Sequence, residues 1–111
     1  MPITGLLGPQ FFELLALDAT VARQIIADYC AAVPLALAEL HTLQHQPEAL
    51  ARAVHSLKGM SLNVGAEGLG AYLGVWDAAL KAGHAPAPAP NLAETERLWA
   101  ATLAEIQMAV G

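Results

Sequence analysis

Apolar residues recur at spacings of three and four along almost the whole chain, interrupted by glycine and proline at intervals that mark off five helices. Gly8-Pro9 opens a short one, with proline at its first position, carrying Phe11, Phe12, Leu14 and Leu15 to about Leu17. Asp18 is then a suitable N-cap for a long helix through Val21, Ile25, Ile26 and Tyr29, continuing over Leu37 and Leu40 to about Leu43. Pro34 falls inside it and predicts either a kink near residues 30–34 or a split in two. Pro47 opens a third helix, with Glu48 in the first turn where negative charge suits the helix dipole, and Gly65 closes it. A fourth runs from about Ala66 to Ala82, with Leu69, Leu73, Trp76 and Leu80 on one face, and Gly83 stops it. The tract HAPAPAP reads as extended and stiff. Asn91 or Leu92 begins the last helix, on which Leu92, Leu98 or Trp99, Leu103 and Ile106 face a core.

Short turns between the second, third and fourth helices favour antiparallel neighbours. The predicted fold is therefore all-α: an antiparallel four-helix bundle with a short N-terminal helix covering one end, residues 1–111 forming a single domain. Composition agrees, since 56% of residues are hydrophobic, 24 are alanine, and β-branched and aromatic residues are sparse.

Charge narrows the function. A formal net charge of −5 with five Lys and Arg cannot supply the basic footprint that nucleic-acid binding requires. The strongly apolar stretch near Ala31 to Ala38 contains Pro34 and ends at Glu39, short of the roughly 18 apolar residues of a spanning helix, and the N-terminus lacks the positive region of a signal peptide. These features predict a cytoplasmic monomer without a membrane segment. Cys30 is alone, which rules out an internal disulfide, and its apolar surroundings suggest an inert buried thiol.

Projecting the third helix at 100° per residue puts Leu50, Val54, Leu57, Ser61 and Val64 on one stripe, with His55 about 140° and Gly59 about 180° away from Leu50. The histidine thus looks away from the core. Gly59 lies one turn further along the same face, where glycine costs a helix about 1 kcal/mol relative to alanine. An absent side chain there leaves an open approach to the ring. Arg52 and Lys58 flank His55 at i−3 and i+3, within side-chain reach of an anion attached to it, and imidazole is a competent nucleophile. If the turn into the fourth helix is centred on Gly65 and Ala66, Asp77 lies level with His55 and Gly74 with Lys58. Asp77 is then either an acceptor for the Nδ1 hydrogen or a solvated charge. Gly68, Gly70 and Gly74 suggest close helix packing.

At these residues the chain resembles the histidine-containing phosphotransfer (HPt) domain family. His55-Ser56-Leu57-Lys58-Gly59, then Ser61, then Gly65-Ala66, look like its H-x-L-K-G-x-S-x-x-x-G-A signature, and the predicted bundle covers essentially the whole chain. The resemblance implies that His55 accepts a phosphoryl group on Nε2, that Lys58 favours its charge, and that Gly59 clears space for a docking receiver domain. It implies no kinase activity. The partners would be receiver domains of hybrid sensor kinases and response regulators, and the Mg²⁺ of the transfer would belong to the receiver, leaving this chain without a cofactor. Arg52, Ser56, Leu62 and Asp77 complete the expected contact face. Asp77 departs from the pattern, standing near where relatives often carry Gln or another polar residue.

Other readings are weaker. Kinase dimerisation helices place an acidic residue after the histidine and a proline soon after, where this chain has Ser56 and Leu57, and no P-loop or G-x-G-x-x-G is present. His41 and His45 lie one turn apart, but two ligands without a third make a poor metal site. His84 has no supporting neighbours. A scaffold that binds a receiver without accepting phosphate is the alternative function.

Overall fold

The computed structural model describes residues 4–84 and 87–111, which form five helices: α1 (Pro9–Leu17), α2 (Ala19–Leu43), α3 (Pro47–Asn63), α4 (Glu67–Lys81) and α5 (Pro88–Val110). Helices α2 to α5 make a four-helix bundle in which α3 lies between α2 and α4, and α5 closes the ring by packing on both α4 and α2. The short α1 rests on α2.

Each boundary has a local cause. Asp18 caps α2, its carboxylate accepting from the Thr20 and Val21 amides at 3.0 and 3.1 Å. Gly65 takes a left-handed φ of 81° between α3 and α4, and Gly83 a φ of 75° after α4. At Gly65 this freedom is doubled by crowding, because a side chain there would run into the backbone of Phe11. The N-terminal segment is tied to the same turn: the Gly8 amide donates to the Gly65 carbonyl at 2.9 Å and the Gly68 amide to Leu6 at 3.0 Å. Glu105 of α5 holds it from the other side, accepting from the amides of Gly5 and Leu6.

Three expectations change. Of the kink or split expected at Pro34, the split does not occur: α2 continues through it as one helix, with Pro34 on the exposed face. Helix α5 begins at Pro88, three residues before Asn91, so the end of the proline tract is helical rather than extended. Pro88 and Pro90 occupy the first turn, where amides have no intrahelical acceptor and proline sacrifices nothing. Residues 85–86 of that tract lie outside the described residues. Cys30 is partly buried rather than sealed, and burial pushes its thiol up, away from the reactive thiolate.

Among the described residues α2 is also the one helix long and apolar enough, by length and composition alone, to cross a membrane. Alanine and leucine on either side of Pro34 and Glu39 make the run longer than the stretch near Ala31 to Ala38 suggested. Within the bundle α2 buries Ala22, Ile26, Tyr29, Val33 and Leu40.

The core is mostly aliphatic and includes Phe11, Trp76 and Trp99, with Tyr29 meeting Trp99 edge to face at 5.5 Å between ring centroids. Among its polar contacts is a hydrogen bond of 2.8 Å between the Tyr29 hydroxyl and Ser61 Oγ, joining α2 to α3. Burial pushes the tyrosine up to about 12 against the opposing effect of that bond.

Candidate functional site

Helix α3 buries Leu50, Val54, Leu57 and Ser61 on the stripe the 3.6-residue period assigns to them. That stripe turns His55 outward, and its side chain is 56% exposed. Gly59 follows one turn later, where a Cβ would meet nothing within 4 Å. Packing in this chain therefore gives no reason for glycine at 59. Gly68 and Gly70 differ: a Cβ at Gly68 would press on Leu6, and one at Gly70 on Leu62.

Across the α3–α4 interface, Asp77 stands level with His55. It is not a solvated charge, since its side chain is only 3% exposed. Three donors converge on its Oδ2: His55 Nδ1 at 3.0 Å, Lys81 Nζ at 3.1 Å and Lys58 Nζ at 3.3 Å. Oδ1 is buried and has no hydrogen-bond partner among the described residues. Burial pushes the Asp77 carboxyl up, but hydrogen bonds from His55, Lys81 and Lys58 together outweigh it and hold the group below its ordinary value. The carboxylate is thus ionised at neutral pH.

Lys81 Nζ also lies 3.2 Å from His55 Nδ1. One ring nitrogen cannot donate to Asp77 and accept from Lys81 at once. The shared oxygen offers an arrangement without conflict: Lys81 and Nδ1–H both donate to Oδ2, which leaves Nε2 as the ring nitrogen that is not engaged by Asp77.

Lys58 and Gly74 face one another as the antiparallel register requires, with Lys58 Cδ 3.6 Å from where a Cβ on Gly74 would stand. Arg52 is exposed and lines a groove of about 600 Å³ with Pro47, Glu48, His55, Leu80 and Lys81. A second groove between α2 and α3, about 570 Å³, carries Ser56 and Arg52 on its wall beside Leu35 and Met60. Leu62 is 40% exposed. Arg52, Lys58 and Lys81 gather three of the chain's five basic residues around one imidazole, although the chain is acidic.

A helical bundle presenting such a histidine finds its counterpart among known families. The model of the Hpt domain family matches residues 19–109. The chain belongs to the Hpt domain family. Searches of curated proteins and of solved structures returned no match. Hpt domains are phosphotransfer carriers without kinase activity of their own, which agrees with the reading of the H-x-L-K-G signature.

Reasoning from the sequence placed His55, Lys58, Gly59 and Asp77 together and missed Lys81. The signal for it was available: Lys81 follows Asp77 by four residues on one helix, the spacing at which opposite charges meet. His41, unlike His55, pairs away from Asp77. His41 Nε2 hydrogen-bonds Glu96 Oε1 at 2.6 Å between α2 and α5, and among the described residues no three His, Cys, Asp or Glu side chains group to hold a metal.

Proposed function

We propose that His55 Nε2 accepts a phosphoryl group from the phosphoaspartate of one receiver domain and returns it to the aspartate of another, in hybrid sensor kinases and response regulators of the cytoplasm. The observation that carries this reading is an exposed imidazole whose Nδ1 is held by a buried carboxylate at 3.0 Å, so that the free lone pair faces solvent. In the forward step that lone pair forms the N–P bond as the acyl-phosphate P–O bond breaks, and the electron pair leaves on the receiver's carboxylate. No proton has to depart from Nε2.

Phosphoryl transfer needs positioning and charge stabilisation more than covalent help from the carrier. Lys58, Lys81 and Arg52 supply positive charge beside the ring. The metal ion of the reaction is taken to be Mg²⁺ held by the receiver, with none bound by this chain. The open space over Gly59, with Leu62 and Ser56 on neighbouring positions, supports docking of a broad partner over the imidazole.

The test is transfer of acid-labile, base-stable radiolabel from a panel of phosphorylated receivers to the wild-type chain and to His55→Gln. Label on the wild type and none on the variant is expected. A His55→Gln chain that labels as well as wild type refutes the assignment, and a chain that inhibits receivers without labelling is a scaffold.

A further inference from the structure

Asp77 holds a full negative charge against the ring nitrogen that does not react. We infer that Asp77 keeps Nδ1 of the phosphorylated imidazole protonated through the neutral range, so that His55 releases its phosphoryl group readily instead of storing it. The inference rests on the phosphoacceptor reading of His55.

The chemistry follows from where one proton sits. In the resting site His55 Nδ1 lies 3.0 Å from Asp77 Oδ2, and an ionised carboxylate can only accept, so the contact calls for a hydrogen on Nδ1. Forming the Nε2–P bond makes the ring a cation that still carries that hydrogen. In the return step the P–N bond breaks, its electron pair goes back to Nε2, and the phosphoryl group forms a bond to an aspartate oxygen or to water. The leaving group is then a neutral imidazole. If Nδ1 loses its hydrogen while the ring is phosphorylated, the same step must expel an imidazolide anion or first recapture a proton. Whatever holds the hydrogen on Nδ1 therefore sets how quickly the P–N bond breaks.

A carboxylate accepting that hydrogen favours the charged ring, and burial strengthens the pairing, whereas a neutral amide acceptor lacks the charge. The other groups around the pair come from α3 and α4. Lys81 Nζ, 3.2 Å from Nδ1, opposes a ring cation and competes for Oδ2. Lys58 binds the same oxygen at 3.3 Å, and Arg52 and Glu48 line the groove beside His55. Among the described residues α2 and α5 send no hydrogen bond or ion pair into this cluster. A phosphoryl group on Nε2 offers both lysines a second anion. Each lysine it draws away leaves Oδ2 more fully to Nδ1–H, which tightens the grip when the phosphoryl group is present.

Asp77 is a positioning residue here, acting through the imidazole. The full chain is phosphorylated chemically with phosphoramidate, and loss of phosphohistidine is followed across pH for wild type, Asp77→Asn and Lys81→Gln. Breakdown slows as Nδ1 loses its proton. The midpoint of that fall should drop by about one pH unit in Asp77→Asn, so that between the two midpoints the variant's phosphohistidine outlives wild type by up to about tenfold. Lys81→Gln should move the midpoint the other way, an opposite pair of shifts that loosened packing does not produce. The ¹⁵N shift of Nδ1 in the phosphorylated wild type reads the proton directly, and decides the matter even if Asp77→Asn folds poorly. Coincident profiles with label on His55, or an Nδ1 that loses its proton as early as free phosphohistidine does, overturn the inference alone. Label that never reaches His55 removes the phosphoacceptor reading as well.

Discussion

Lys81 Nζ and Asp77 Oδ2 lie 3.1 Å apart, one helical turn from each other on α4, and the lysine is exposed while the carboxylate is not. A carboxyl held below its ordinary value contributes stability that is present above the unfolded-state value and is lost as pH falls through the folded one. Stability should therefore decline on acidification below about pH 4, and Asp77→Asn should flatten that part of the profile. Urea unfolding at a series of pH values checks the sign; an Asp77→Asn profile as steep as wild type in this range would assign the acid dependence to other carboxylates.

The Tyr29–Ser61 bond predicts a costly loss. Ser61→Ala leaves a buried phenol without its partner and should destabilise the fold by about 1–3 kcal/mol in denaturant unfolding. Tyr29→Phe leaves the smaller and more adaptable serine hydroxyl to find an acceptor, and should cost less. The order of the two variants is the measurement.

At Gly59 stability and transfer should part company. Nothing lies within 4 Å of a Cβ there, so Gly59→Ala should stabilise the protein by about 1 kcal/mol through helix propensity. The added methyl stands on the face that carries His55, and larger side chains at 59 should progressively slow transfer with receivers. Thermal melts and transfer rates on the same series of variants check both halves.

Gly65→Ala should do the reverse. A left-handed backbone and the Phe11 main chain leave no room for a methyl group, so at least about 1–3 kcal/mol should be lost, with α1 detaching first. Protease sensitivity of the N-terminal segment, compared with global unfolding, tests that order.

Most of the bundle is legible in the sequence because its helices carry their own punctuation and a clear apolar stripe. That His55 and Asp77 lie level follows from turn-centred arithmetic alone, which fixes height along two antiparallel helices. It does not fix the edge a side chain occupies, so the choice between an acceptor for Nδ1–H and a solvated charge at Asp77 depends on how α3 packs on α4. The i, i+4 spacing of Asp77 and Lys81 is legible in the sequence, but that Lys81 shares one carboxylate oxygen with His55 and Lys58 depends on the packing of the two helices. The start of α5 was misplaced because proline tracts are extended by default, whereas Pro88 and Pro90 fall in the one helical turn that tolerates them.

Arg52, Lys58 and Lys81 stand together on one face of an otherwise acidic chain, with Asp77 and Glu48 offsetting part of their charge. A local cluster of cations attracts an anionic cleft over several ångströms before the surfaces touch, which shortens the orientational search. That guidance fades as added electrolyte confines the field to about 10 Å at 0.1 M, so the speed of encounter with an acidic partner is set as much by the ions in the surrounding solution as by the fit of the faces.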